Sequence, residues 1–171
     1  MMILRLPERS DEAILRRAHQ ELESEGHQGF LLHGYEGSET EFENYLDAVS
    51  KFSEGRDLPQ GMVKDSFLIA EVAGEVVGRI SIRHTLNDFL LNYGGHIGYM
   101  VRPAFRRNGY ASEMLRQSLL IARDIGIERV LITCNDDNLG SIRVIEKHGG
   151  VIENKVDDNG RLLRRYWIEN V

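Results

Sequence analysis

Residues Arg106-Arg107-Asn108-Gly109-Tyr110-Ala111 join a strand-like apolar run, Ile97 to Val101, to an amphipathic helix, and no other stretch constrains the fold as much. Gly109 lets the backbone turn without a Cβ clash, and the first amides of the following helix have no intrahelical acceptor, so they can point at an anion. The helix dipole adds attraction for negative charge at the same place. The turn is therefore a candidate pyrophosphate cradle. Arg102, Arg106 and Arg107 flank it with the positive charge that a phosphorylated ligand would need.

The rest of the chain supplies the elements around that junction. Met2 to Leu6 reads as a short edge strand ended by Pro7, and Ser10, Asp11 and Glu12 open a helix running to about Glu25. Thr40 and Glu43 have capping-box spacing, and Phe42, Tyr45, Leu46, Val49 and Phe52 trace one face, which predicts a second helix over 40–53. Phe67 to Val72 and Val76 to Arg83 are β-rich and meet at Ala73-Gly74-Glu75 as a hairpin, with Gly78 a bulge or close-approach point. A loop from Leu86 to Gly95 leads into His96 to Val101, which Pro103 ends because it cannot donate to a ladder.

Ala111, Met114, Leu115, Leu119 and Ala122 share a helical face that Gly126 is placed to close, and Val130 to Thr133 follows as a buried strand. Asn138 caps a short helix with Ile142 and Ile145 facing inward, closed by Gly149-Gly150. Asp158-Asn159-Gly160 is a type I′ hairpin signal between Val151 to Val156 and Leu162 to Ile168. The order is strand, two helices, three strands, helix, strand, helix, two strands. The segment from Gly55 to Lys64 reads as an ordered but mobile loop.

A chain of 171 residues fits a single domain, 1–171, that buries about 70% of its unfolded surface without disulfide staples. Cys134 is the only cysteine, and no apolar N-terminal run resembles a signal peptide or a membrane span, so the expectation is a cytoplasmic protein without a membrane partner. A net charge of −6 argues against nucleic acid as a partner and fits a cationic acceptor. The histidines at 19, 27, 33, 84, 96 and 148 show no metal-ligand spacing, so no metal is assigned. Gly94-Gly95-His96-Ile97-Gly98 precedes a strand and is not a Rossmann fingerprint, and the cradle lacks the Gly-Lys-Ser/Thr of a P-loop.

Arg106, Gly109 and Ala111 resemble the acyl-CoA-binding signature of the GNAT superfamily of N-acetyltransferases: Arg or Gln, two residues, Gly, one residue, Gly or Ala. The resemblance extends to the order of elements and is densest from His96 to Gly150, through Asn138, Ser141 and Glu146-Lys147-His148-Gly149-Gly150. It implies a mixed α/β fold, with a mostly antiparallel twisted sheet, flanking helices and a splayed pair of fourth and fifth strands that receives acetyl-CoA. By the same resemblance, the backbone of Val101 and Arg102 and the amides of Arg107, Asn108, Gly109, Tyr110, Ala111 and Ser112 should contact pantetheine and pyrophosphate. Asn138 would bond the pantetheine arm. Homodimers are common among relatives.

The implied reaction moves an acetyl group to a primary amine of a small molecule or protein by direct attack in a ternary complex. An ammonium must first lose its proton, and the departing thiolate benefits from a proton donor. His96 stands where many relatives carry a glutamate and is the leading base, with Glu71, Glu75 and His84 as alternatives. Many relatives have a tyrosine seven residues after the asparagine, but Ile145 fills that place here, and Ser141 resembles the serine of ribosomal-protein-type relatives near the sulfur. Tyr99 is a further candidate, although its parity sets it on the face opposite His96 unless a bulge intervenes. A noncatalytic acyl-CoA sensor and a protein N-terminal acetyltransferase are the competing readings. The acidic residues Glu39, Glu41, Glu43, Asp47 and Glu54 are a solvated helix face or an attraction for a cationic acceptor.

Overall fold

Seven strands form two antiparallel sheets, and the computed structural model describes residues 1–171 throughout. The first sheet has the order β1 (Met2–Arg5), β2 (Asp65–Val72), β3 (Glu75–Arg83), β4 (Ile97–Val101), and the second has β5 (Arg129–Asn135), β7 (Arg161–Glu169), β6 (Val151–Asp158). Both hairpins turn on two residues with positive φ, Ala73 and Gly74 at 52° and 82°, and Asn159 and Gly160 at 53° and 86°. Positive φ at both central positions is the type I′ geometry whose twist suits a hairpin.

Helices α1 (Glu12–Glu23) and α2 (Phe42–Glu54) cover one face of the first sheet, where Leu15, Leu22, Tyr45, Val49, Phe67 and Ile69 pack together. On its other face lie α3 (Tyr110–Asp124) and α4 (Leu139–Lys147), where Ile80, Ile82, Ile97, Met114, Ile142 and Ile145 form a core continuous with Tyr166 of β7. Ile142 and Ile145 face inward as their spacing requires, and each fully buried aliphatic contributes about 2 kcal/mol of transfer free energy. The capping box of Thr40 and Glu43 does not form. Helix α2 is capped at Glu41, and Thr40 Oγ1 instead accepts the Glu36 amide at 2.9 Å. The β2–β3 register slips between Ala70↔Gly78 and Glu71↔Val76, so Val77 is a bulge beside Gly78.

The two sheets meet where β4 lies beside β5. Bonds from Arg83 N to His96 O and from Arg102 N to Val77 O show that even-numbered residues of β4 pair with β3. The backbone groups of Tyr99 and Val101 therefore face β5. On β5, Asp136 N bonds Leu162 O and Asn170 N bonds Glu128 O, so the backbone of Leu131 and Thr133 faces β4. Between the strands there is one backbone bond, His96 N to Leu131 O at 2.7 Å, after which they separate without a ladder.

Candidate active site

At the C-terminal end of β4, Pro103 to Phe105 form a single 3₁₀ turn, and the chain enters α3 through Arg107 and Gly109, both left-handed with φ of 63° and 78°. Asn108 Nδ2 bonds the carbonyls of Phe105 and Arg106, each at 3.1 Å, and so closes the turn from within. The amides of Arg107, Asn108, Gly109, Tyr110, Ala111 and Ser112 have no acceptor in the chain, and the first backbone bond into this helix comes from Glu113 N to Gly109 O. Six consecutive unsatisfied donors at a helix N-terminus form a concave anion site, which fits a pyrophosphate. The Ser112 hydroxyl is already engaged, 2.9 Å from His148 Nε2.

Two of the three arginines expected to charge the cradle do something else. Arg102 is buried, bonds both Glu21 oxygens at 2.8 and 2.9 Å and the Val76 carbonyl at 2.8 Å, and its amide belongs to the β3–β4 ladder. Arg106 pairs with Glu25 at 2.6 Å. Both tie the loop to α1 and are neutralised there. Arg107 alone is exposed without an ion pair and is the charge left for a phosphate.

Beyond the cradle, the gap between β4 and β5 presents the free backbone of Tyr99 and Thr133 and the free amide of Val101, whose carbonyl accepts Arg106 Nε at 3.3 Å, and these donors and acceptors suit an amide-bearing arm. The Tyr99 hydroxyl is buried with no hydrogen-bond partner, and burial pushes its phenol up to about 12 while the neighbouring Ser141 hydroxyl acts against that shift. Burial likewise raises the Cys134 thiol to about 11, so this cysteine is a protonated packing residue at neutral pH. Asn138 caps α4, its Oδ1 accepting the Ser141 amide at 3.1 Å, which leaves its Nδ2 free. Ser141 lies near enough to Tyr99 to bear on its phenol, without a hydrogen bond between the two.

His96 is not brought to them. No bulge interrupts β4, so its parity keeps the ring apart from Tyr99. Its Nδ1 instead accepts the Leu131 amide at 2.9 Å while its own amide donates to Leu131 O, which makes it the clasp at the point where the strands diverge. Burial first, then Arg83, lower its pKa to about 4. With Nδ1 occupied and the proton on Nε2, the neutral ring has no free lone pair to act as a base. Of the alternatives, Glu71 bonds Arg5 at 2.8 Å, His84 Nε2 lies 2.8 Å from Ser66 Oγ, and Glu75 stands exposed at the start of β3.

A chamber packed with polar side chains, most of them buried, lies on the α1–α2 side of the first sheet, and no motif in the sequence marks it. Asp65 of β2 accepts the Ser81 hydroxyl at 2.7 and 2.8 Å and has His33 Nε2 3.1 Å away from Oδ2. Despite its burial Asp65 stays below the usual carboxylate range, because His33, Arg83 and Ser81 together outweigh desolvation. His33, at φ 60°, stacks on Phe52 with centroids 4.0 Å apart, and its Nε2 is buried outside hydrogen-bond geometry. Arg79 and Arg83 share this face of β3. The signal available in sequence was the period-2 series Arg79, Ser81, Arg83 inside an apolar strand, which places three polar groups on one covered face. No group of three His, Cys, Asp or Glu side chains is placed to hold a metal, and no helix is long and apolar enough to cross a membrane.

Residues 2–151 match the family model described as an acetyltransferase (GNAT) domain. An acetyltransferase of Sodalis glossinidius is 35% identical over 112 residues, covering 62% of this chain and 68% of that protein. Among solved structures, yncA, a putative acetyltransferase from Salmonella typhimurium with acetyl-CoA, superposes with a TM-score of 0.65 at 18% identity, over 99% of this chain and 94% of that one. RimL, a ribosomal L7/L12 alpha-N-protein acetyltransferase in complex with coenzyme A, gives 0.71 at 17% identity, over 98% and 93%.

Proposed function

The chain belongs to the GNAT acetyltransferase family and is an N-acetyltransferase, and from that premise we propose that it transfers acetyl from acetyl-CoA directly to a primary amine within a ternary complex. The observation that carries this reading is the six unsatisfied amides at residues 107–112, together with the unpaired backbone of Tyr99 and Thr133 and the Val101 amide in the gap between β4 and β5. Arg107 adds charge at the phosphate end, and Asn138 Nδ2 is free to bond the pantetheine arm.

Acetyl-CoA supplies an activated acetyl thioester. Tyr99 and Ser141 are assigned to the sulfur end, because a protonated phenol and a hydroxyl in a dry gap can donate to a developing thiolate. The Tyr99 proton is well retained at neutral pH, which suits a donor and not a base. His96 is assigned to holding β4 against β5. Proton acceptance is assigned to His33, the imidazole 3.1 Å from Asp65 on the α1–α2 side of the sheet, which does not hold a strand amide as His96 does. The acceptor amine is thereby expected on the chamber side of β4, opposite α3 and α4.

Release of coenzyme A should follow when acetyl-CoA is offered with a panel of small-molecule and peptide amines. Tight acetyl-CoA binding with silence across the whole panel would favour a noncatalytic sensor instead.

A further inference from the structure

We propose that Arg83 binds an anionic group of the acceptor, so that the substrate is an amine that also carries a carboxylate. The proposal rests on the acetyl-transfer reading above and concerns its unassigned half.

Arg83 ends β3 directly opposite the start of β4, its amide bonding His96 O at 2.7 Å. Its guanidinium makes one protein hydrogen bond, a long one of 3.4 Å from Nη1 to Gly94 O, and no ion pair. Arg5, Arg16, Arg102, Arg106, Arg164 and Arg165, by contrast, each hold a carboxylate. Asp65 is the nearest candidate partner, opposite Arg83 across β2 and β3, but it forms no ion pair with Arg83 and is turned to the Ser81 hydroxyl and to His33. Arg79, one step further along the same face, is buried and donates from Nε to the Phe30 carbonyl at 3.1 Å, again without a carboxylate.

The chamber thus holds two guanidinium groups against one carboxylate. A covered guanidinium without an anion is an unfavourable state that a ligand can relieve. Gly98 lets Arg83 lie against β4: a Cβ there would lie 3.1 Å from Arg83 Nη1, so the half-buried guanidinium rests on bare β4 backbone, one residue from Tyr99. The cofactor's phosphates do not compete, because their cradle lies past the other end of β4. One surplus positive charge matches a carboxylate, whereas a dianionic phosphate would also face Asp65. Guanidinium and carboxylate match as a two-point pair. The amine end is then left to the His33 and Asp65 side of the same chamber.

The test uses matched acceptors: β-alanine against ethylamine, 4-aminobutanoate against propylamine, the methyl esters of both acids, and spermidine. The wild-type protein should prefer each free acid to its ester or plain amine by about tenfold or more in kcat/KM. Arg83→Gln should bind acetyl-CoA normally and lose that preference, with Arg83→Lys retaining part of it. Equal use of acids, esters and spermidine by the wild type would overturn the proposal, as would an Arg83→Gln enzyme that keeps the preference. The ester comparison needs no variant, so a folding failure of Arg83→Gln leaves the test decisive. Thermal shifts of the protein with coenzyme A, taken with each acid and ester, separate the two readings. Stabilisation by the acids alone, with no turnover of any amine, keeps the anion site and removes the transferase assignment. No difference between acid and ester in either turnover or melting removes the anion site.

Discussion

His96 shows how one side chain is diverted from chemistry to architecture. The β4–β5 junction offers a lone amide, Leu131 N–H, with no strand carbonyl to meet it, and the imidazole supplies the acceptor. The folded pKa of about 4 lies below the ordinary histidine value, so this contribution is fully present above about pH 6.5 and is lost as pH falls toward 4. His96→Gln should lose about 1 kcal/mol at pH 7 with the Leu131 bond and show a flatter decline between pH 6.5 and 4.5 in denaturant titrations. On the proposed assignment His33→Gln should lower kcat/KM by about a hundredfold or more while acetyl-CoA still binds. Wild-type turnover would move the base elsewhere. A histidine at the head of a strand was legible in sequence; which nitrogen is free depends on a strand 35 residues later.

At the scale of elements, the strand, turn and helix around Gly109 were legible because their determinants are local. Periodicity defines the strand and helix, and glycine permits the left-handed entry. No atom lies within 4 Å of a Cβ built on Gly109, so a substitution there acts through backbone strain and not through a clash. Gly109→Val should cost about 1–2 kcal/mol if the turn is kept. Where the turn relaxes instead, the aligned amides of residues 107–112 are lost and acetyl-CoA affinity falls more than stability. An unchanged acetyl-CoA titration would remove the cradle assignment. The cradle's electrostatics were not legible, because the carboxylates of Glu21 and Glu25 that claim Arg102 and Arg106 come from α1 and the turn just after it, 81 residues earlier in each case.

Across the whole molecule, the site lies where two separately laddered sheets meet, and Tyr99 from the first is joined there by Ser141 from α4, which packs beside the second. Ser141→Ala should lower turnover by about tenfold with acetyl-CoA binding nearly unchanged, since one hydroxyl near the sulfur is removed while the Asn138 cap uses only the Ser141 amide. Wild-type turnover would leave Ser141 structural. By itself the sequence determined the order of elements, the position of both hairpins and the type I′ turn of the second, the glycine turn at Gly109 and the Asn138 cap, and through them the family. These features depend on residues within a few positions of one another, where sterics and hydrogen bonding act along the chain. Only the tertiary structure decided which charges are free, which imidazole is spent, and that Asp65, Arg79, Ser81 and Arg83 share a covered face with His33. Charge pairing and desolvation depend on which groups the fold brings together, whatever the separation between them in sequence.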